Sequence, residues 1–277
     1  MLAPYPARSQ SATVGLDAAL RSRYEWRGLR LHDGPVVQPD VFLSIGEDAA
    51  RLTVGVWGNA ELGARNSTSA IRLGRRLFGE VNAWGEVAAV LGPFDLAAGW
   101  TGYFYDLDGA RGLPTELENT HELYGRLAVT ELPVAVPKVA VFYDVDAYRG
   151  AYVESGLTLR VPLWAGVVVP VGSILLDATA GYSLGQELDP ATPGRPGRYA
   201  ERGFTHFDFS AALPVGVIPL GFMSGVLNAE IHVQKNHDLN TRLVDGLGET
   251  RSLVVWFGAS VTLLGPRCNP TRSICRN

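Results

Sequence analysis

The stretch Ser252-Leu253-Val254-Val255-Trp256-Phe257-Gly258-Ala259-Ser260-Val261-Thr262-Leu263-Leu264 decides how the whole chain reads. Side chains alternate across an extended strand. Leu253, Val255, Phe257, Ala259, Val261 and Leu263 fall on one side, and all are apolar. Ser252, Val254, Trp256, Gly258, Ser260 and Thr262 fall on the other, which is mixed and small. Strands in globular proteins usually run to about five or six residues. This one has the length needed to cross a bilayer at a tilt. As the last strand-like segment of the chain, it reads as the closing strand of a transmembrane β-barrel.

Upstream, the same alternation recurs at about 12–24, 37–45, 51–62, 78–90, 94–105, 120–130, 138–146, 152–161, 174–183, 204–213 and 225–234. The register of the last of these is the least clean. With the closing strand this makes about 12 antiparallel strands, an even number that suits an up-and-down barrel. Long polar connections follow the first, third, fifth, ninth and eleventh strands. Very short ones follow the second and fourth, and Pro-punctuated, moderately apolar ones follow the sixth, eighth and tenth. The short connection at Tyr148-Arg149-Gly150 is the exception. Outer-membrane barrels sort their loops this way, with long external loops and short periplasmic turns, which puts both termini on the periplasmic side. A soluble sandwich or lipocalin-like fold, the competing reading, has no reason to sort loops by parity. The expected organisation is a Pro/Ser/Arg leader at 1–11, a barrel at 12–264 and a tail at 265–277.

Composition agrees. The 277 residues include 32 Gly, 6 Trp, 10 Tyr and 10 Phe, with 19% charged residues. The net charge of −4 argues against a nucleic-acid partner. The longest apolar stretch, 161–176, contains Pro162, Pro170 and two glycines and would make a poor transmembrane helix. The opening residues, Met1-Leu2-Ala3-Pro4-Tyr5-Pro6, lack a basic segment leading into an apolar one. An export signal is therefore expected to have been removed or to lie upstream. The two cysteines, Cys268 and Cys275, share the tail, where an oxidising compartment favours a disulfide between them over a pair of thiols.

The polar faces of these strands carry Asp17, Arg21, Asp40, Arg51, Glu61, Glu80, Glu86, Asp95, Glu122, Arg126, Asp144, Glu154, Arg160, Asp177, Asp208 and Glu230. An Arg or Lys facing lipid at the bilayer centre costs about 2–4 kcal/mol, so these groups are expected to line the lumen. Either they surround a narrow, porin-like aqueous channel that prefers cations and passes small hydrophilic solutes or cations, or the arginines pair with the acids and plug the interior, leaving the barrel a structural or binding role. Aromatics gather near strand ends at Tyr24, Trp26, Tyr103 to Tyr105, Tyr148, Tyr152, Trp164, Trp256 and Phe257. Some would suit interfacial girdles.

Enzyme chemistry is not visible. His32, His121, His206, His232 and His237 are scattered, and no catalytic or nucleotide-binding motif stands in a supporting context. His206, Asp208, Glu230 and His232 lie on like faces of neighbouring strands and read as a hydrogen-bonded network rather than a metal site. No metal or cofactor is expected. Membrane lipid is the expected partner, and self-association or membership of a larger membrane assembly stays open.

Tyr24-Glu25-Trp26-Arg27-Gly28, then Pro35-Val36-Val37-Gln38-Pro39-Asp40, then Val54-Gly55-Val56-Trp57-Gly58-Asn59 resemble the opening of the Gcw-type family of uncharacterised bacterial proteins. The strand around Glu80 and Trp84, and Glu122-Leu123-Tyr124-Gly125, are similar to later segments of that family. The resemblance covers roughly the first 160 residues. It implies an outer-membrane barrel and carries no known activity. Just beyond the first strand, Arg27 and Gly28 are expected to anchor a loop. Gly28 would permit a tight backbone there, and Arg27 would fold over the barrel mouth toward an inner acid such as Asp40.

Overall fold

The computed structural model describes residues 11–47, 49–62, 78–105, 119–132, 134–162, 173–186, 202–220, 223–236, 253–264, 267–269 and 274–276. Among them, every helix or strand element is a strand.

The alternating segments form a closed barrel of 12 antiparallel strands. In chain order the strands are β1 (Ser11–Arg21), β4 (Val36–Glu47), β5 (Ala50–Glu61), β6 (Glu80–Leu91), β7 (Phe94–Tyr105) and β8 (Thr120–Val129). They continue with β9 (Ala135–Asp144), β10 (Ala151–Pro162), β11 (Ser173–Ser183), β12 (Gly203–Leu220), β13 (Met223–Asn236) and β14 (Leu253–Leu264). Each pairs with its neighbours in this order, and β14 returns to β1 from Gly15↔Leu264 to Arg21↔Gly258. Closure removes the free strand edge, whose unpaired amides hydrocarbon would not tolerate. Two short strands, β2 (Tyr24–Trp26) and β3 (Leu29–His32), form a sheet of their own. Beyond the seam, β15 (Arg267–Asn269) and β16 (Ile274–Arg276) pair with each other, and β15 touches β1 at Ala12.

The outward face is apolar, as hydrocarbon requires. Val14, Leu20, Val41, Val54, Val56, Val87, Leu123, Val141, Phe209, Leu253, Val255 and Phe257 are all exposed. The inward face is built differently. Glycines stand directly opposite aromatic residues of the next strand: Gly15↔Phe42, Gly55↔Trp84 and Gly99↔Tyr124. A Cβ on Gly55 would lie 2.5 Å from the Trp84 ring, so the missing side chain is what lets the ring lie against the wall. Phe42–Trp84, Tyr124–Phe142 and Phe142–Tyr152 then touch ring to ring around the lumen.

Three expectations change. The first strand stops at Arg21, and Tyr24–Trp26 belongs to the separate hairpin. The Pro-punctuated connection expected after the tenth strand is largely strand: β12 and β13 extend to Leu220 and Met223. Pro214 is accommodated by a register shift, because it has no amide to give the ladder. Most of the end-of-strand aromatics do not form a girdle. Tyr24, Tyr103, Tyr105, Tyr148, Tyr152 and Trp256 are buried, while Tyr143, Phe204, Phe209 and Phe257 are exposed. For the residues on barrel strands, strand parity decides this. Trp164 lies outside the described residues, as do the side chains of Cys268 and Cys275 on which the disulfide expectation rests. Their backbones are opposite each other in the β15–β16 register.

Candidate functional site

The site is the upper lumen, at the end that carries the connections 63–77, 106–118, 187–201 and 237–252. It is filled by the β2–β3 hairpin. Two residues, Arg27 and Gly28, join its strands, with φ of 50° and 86°. Positive φ at both central positions is a type I′ turn, whose twist matches that of the flanking strands. Gly adopts this conformation freely. Arg27 does not, and it is held there by what it touches.

Arg27 reaches across the barrel to β8. Its Nη1 donates to Glu122 Oε2 at 2.8 Å and its Nη2 to Glu122 Oε1 at 2.7 Å, a bidentate pair. The Tyr103 hydroxyl donates to the same carboxylate at 3.3 Å. The guanidinium carbon lies 4.0 Å from the centre of the Phe142 ring, 4.5 Å from Tyr152 and 4.6 Å from Trp26. Glu122 and Tyr152 are fully buried. Burial alone would lower the Arg27 pKa. The Glu122 charge and its hydrogen bonds, together with the neighbouring Tyr103 and Tyr152, outweigh burial and hold the guanidinium protonated more firmly than usual.

The rest of the hairpin is fastened side chain by side chain. The Tyr24 hydroxyl donates to Glu80 Oε2 at 3.1 Å, and its ring packs on Trp57. Glu25 accepts from Arg30 Nε and from Asn236 Nδ2, both at 3.3 Å. His32 Nδ1 lies 3.4 Å from Glu61. Leu29, 1% exposed, packs in one cluster with Tyr152. At the tip, a Cβ on Gly28 would lie 2.6 Å from the Thr205 carbonyl oxygen on β12. Gly28→Val is therefore expected to unseat the tip, through the clash and through a strained φ costing about 1–3 kcal/mol. Limited trypsin digestion read by mass spectrometry checks this: cleavage after Arg27 should be slow in the native barrel and fast in the variant.

Below the hairpin the lumen is charged, and most of its polar side chains are only partly buried. Glu86 accepts from Tyr124 at 3.0 Å and pairs with Arg126, whose side chain is half exposed. Lys138 Nζ lies 2.6 Å from Asp177, which also accepts from Thr158 and Thr179. Trp84 Nε1 donates to Asp40 at 3.0 Å, and Asp40 is directly opposite Asp17. His232 Nδ1 lies 3.0 Å from Asp208, and its ring stacks on Trp256 at 3.5 Å with Arg21 beyond. The Ser260 hydroxyl donates to Glu230, not to the imidazole, so no nucleophile–base pair forms there. Among the described residues, no three His, Cys, Asp or Glu side chains converge as a metal site.

The residues named from sequence are thus distributed. Glu122 meets Arg27, Glu80 meets Tyr24, Glu61 meets His32, and Glu86 meets Arg126. Asp208 and Glu230 flank His232. Glu154 sits half-buried on β10 between these levels, while Arg51 and Arg160 are exposed near the other mouth. Asp95 lies one residue into β7. Asp144 caps the turn after β9, accepting from Thr120 and from the amides of Asp146 and Tyr148. Arg27 does not meet Asp40. The hairpin carries it past β4 to the far wall. Glu25 and Lys138 were missed as site residues, and so was the aromatic cage, in which Phe142 joins Tyr103 and Tyr152, two residues that read as girdle aromatics. Lys138 was legible as an inward position of its strand. The cage depends on three strands converging, and no local signal marks it.

No family model matches the chain, and no curated protein does. Several solved structures are similar to it at low identity. The COG4313 outer membrane channel from Pseudomonas putida F1 is 12% identical with a TM-score of 0.43, over 94% of this chain and 98% of that one. A bacterial polysaccharide outer membrane secretin is 9% identical with a TM-score of 0.42, over 92% and 97%. LpxR from Salmonella typhimurium is 10% identical with a TM-score of 0.42, over 90% and 99%. At these values the likeness says nothing about activity. What the chain's own geometry establishes is a closed antiparallel barrel with an apolar outer face, whose lumen is occupied at one end by its own hairpin.

Proposed function

We propose that this is an outer-membrane barrel that forms a narrow conduit for small hydrophilic cations and is closed at rest by the β2–β3 hairpin. The observation that carries this is the division of the lumen into two zones. The lower zone holds incompletely buried charge, with Asp17 and Asp40 opposite each other, which favours water and cations. The upper zone is filled by an element that forms a sheet separate from the wall, so it can leave without breaking the barrel ladder. The reading involves no chemical step.

The alternative is a permanently plugged barrel with a structural or binding role. The buried Arg27–Glu122 pair favours it, because such a pair resists opening.

Planar-bilayer recordings separate the two. The native protein is expected to stay mostly closed. A variant with residues 24–32 replaced by a Gly-Ser tether of equal length should conduct and prefer cations, and adding Asp17→Lys and Asp40→Lys should weaken that preference. Silence from the tethered variant, while it still shows the heat-modifiable migration of a folded barrel, would leave only the structural reading.

A further inference from the structure

The pocket that receives Arg27 belongs almost wholly to the wall. Tyr103 comes from β7, Glu122 from β8, Phe142 from β9 and Tyr152 from β10, and these strands are consecutive in the sheet. The hairpin adds Trp26 over the guanidinium and Leu29 against Tyr152. The wall therefore presents the carboxylate and the Phe142 and Tyr152 rings whether or not the hairpin is seated.

Its chemistry is selective. A carboxylate met by two parallel N–H donors at 2.8 and 2.7 Å matches a planar fork, not a point charge. Aromatic rings at 4.0 and 4.5 Å suit a flat, weakly hydrated cation. With the hairpin seated Glu122 is fully buried, and there a carboxylate left without such a partner is strongly disfavoured. The pocket calls for a guanidinium, and the tethered Arg27 supplies one.

We propose that the pocket of Glu122, Tyr103, Phe142 and Tyr152 is a guanidinium receptor occupied in cis by Arg27, and that a guanidino ligand from outside competes for it and releases the hairpin. This rests on the reading of the hairpin as a removable plug and names what removes it. The tethered arginine competes at an effective concentration on the order of mM, so free ligands act on the native barrel only near or above that range. The guanidinium can come from a free small molecule or from an arginine side chain of a peptide.

The test removes the resident group. Purified Arg27→Ala barrel in detergent is titrated with methylguanidinium, methylammonium and the tripeptide Gly-Arg-Gly while its melting temperature is followed. Methylguanidinium at about ten times its Kd should raise Tm by about 3 °C or more. Methylammonium should not, the native protein should not respond in the same range, and adding Glu122→Gln should abolish the rise. A tripeptide that acts at lower concentration than methylguanidinium points to a peptide source; one that acts at the same or higher concentration points to a free one. No rise with methylguanidinium, or an equal rise with methylammonium, overturns the proposal. Should Arg27→Ala not refold, the barrel with residues 24–32 replaced by Gly-Ser presents the same wall pocket and is read in the same way. Tm reports binding without any current. Rescue in a barrel that never conducts removes the conduit and keeps the receptor, and conduction without rescue does the reverse.

Discussion

Arg27→Ala is expected to destabilise the barrel by about 3–5 kcal/mol, the usual cost of leaving one member of a buried ion pair alone. Glu122 has essentially no exposure and takes two hydrogen bonds from Arg27, so the loss leaves a desolvated carboxylate with the Tyr103 hydroxyl facing it. The stacking of the guanidinium on Phe142 and Tyr152 goes as well. Removing the charge at both ends should behave differently. Arg27→Met with Glu122→Leu leaves no orphaned charge, and burying apolar groups of similar size is often neutral or better. The double variant should therefore recover most of what the single one loses. Urea unfolding in lipid, run as a double-mutant cycle, checks this; guanidinium chloride is the wrong denaturant because its cation fits the pocket. Arg27→Lys should lie between, since it keeps the charge and loses the fork. If the single and double variants lose the same amount, Glu122 is not the group that Arg27 satisfies, and the lock must lie elsewhere in the hairpin.

The wall was far more legible than its contents. A membrane strand carries its own signature, because one face must be apolar and the other need not be. For that reason β7 was placed at Phe94–Tyr105 from alternation alone, and most other strands to within a residue or two. Alternation also assigned inward positions such as Glu86, Glu122 and Asp177 without any knowledge of their partners. It could not say what crosses the lumen. Glu25 to Pro35 reads as a turn-rich loop because type I′ turns are recognised by Asn-Gly or Asp-Gly, and here an arginine takes the first place. The signal that was present is two-sided. Tyr24 and Trp26 precede Arg27-Gly28, and Leu29 and Leu31 follow it, which is a hairpin pattern in a segment too apolar for an exposed loop. Even that would not have named Glu122. The acid Arg27 meets depends on how far a tethered hairpin reaches, and Asp40, nearer in sequence, sits on the wrong wall. The inward aromatics failed for a related reason. Tyr103 and Tyr152 stand at strand ends, where girdle residues also stand, and only parity distinguishes the two.

Val56→Arg is expected to be strongly damaging on the outer face, and the size of the effect depends on what surrounds the barrel. Val56 lies in the middle of β5 and is 53% exposed, with Val41 and Ala83 as its ladder partners. If hydrocarbon covers it, an arginine there costs about 2–4 kcal/mol, and the folded fraction in lipid vesicles should fall accordingly. Leu91, 59% exposed at the very end of β6, is the control. Near the interface the same substitution costs about 0–1 kcal/mol, because the long side chain can reach water. A barrel in water gives no such gradient: both arginines would be tolerated alike and would improve solubility. A barrel whose apolar belt is covered by another protein gives neither pattern, since the cost would then follow the contact and not the depth. The measurement is the difference between the two variants in vesicle refolding, and a difference near zero would sink the membrane reading together with the conduit that depends on it. A clear gradient would mean that the outer face meets lipid, and any opening of the barrel would then have to happen within the lumen, where the hairpin is the one element on a sheet of its own among the described residues.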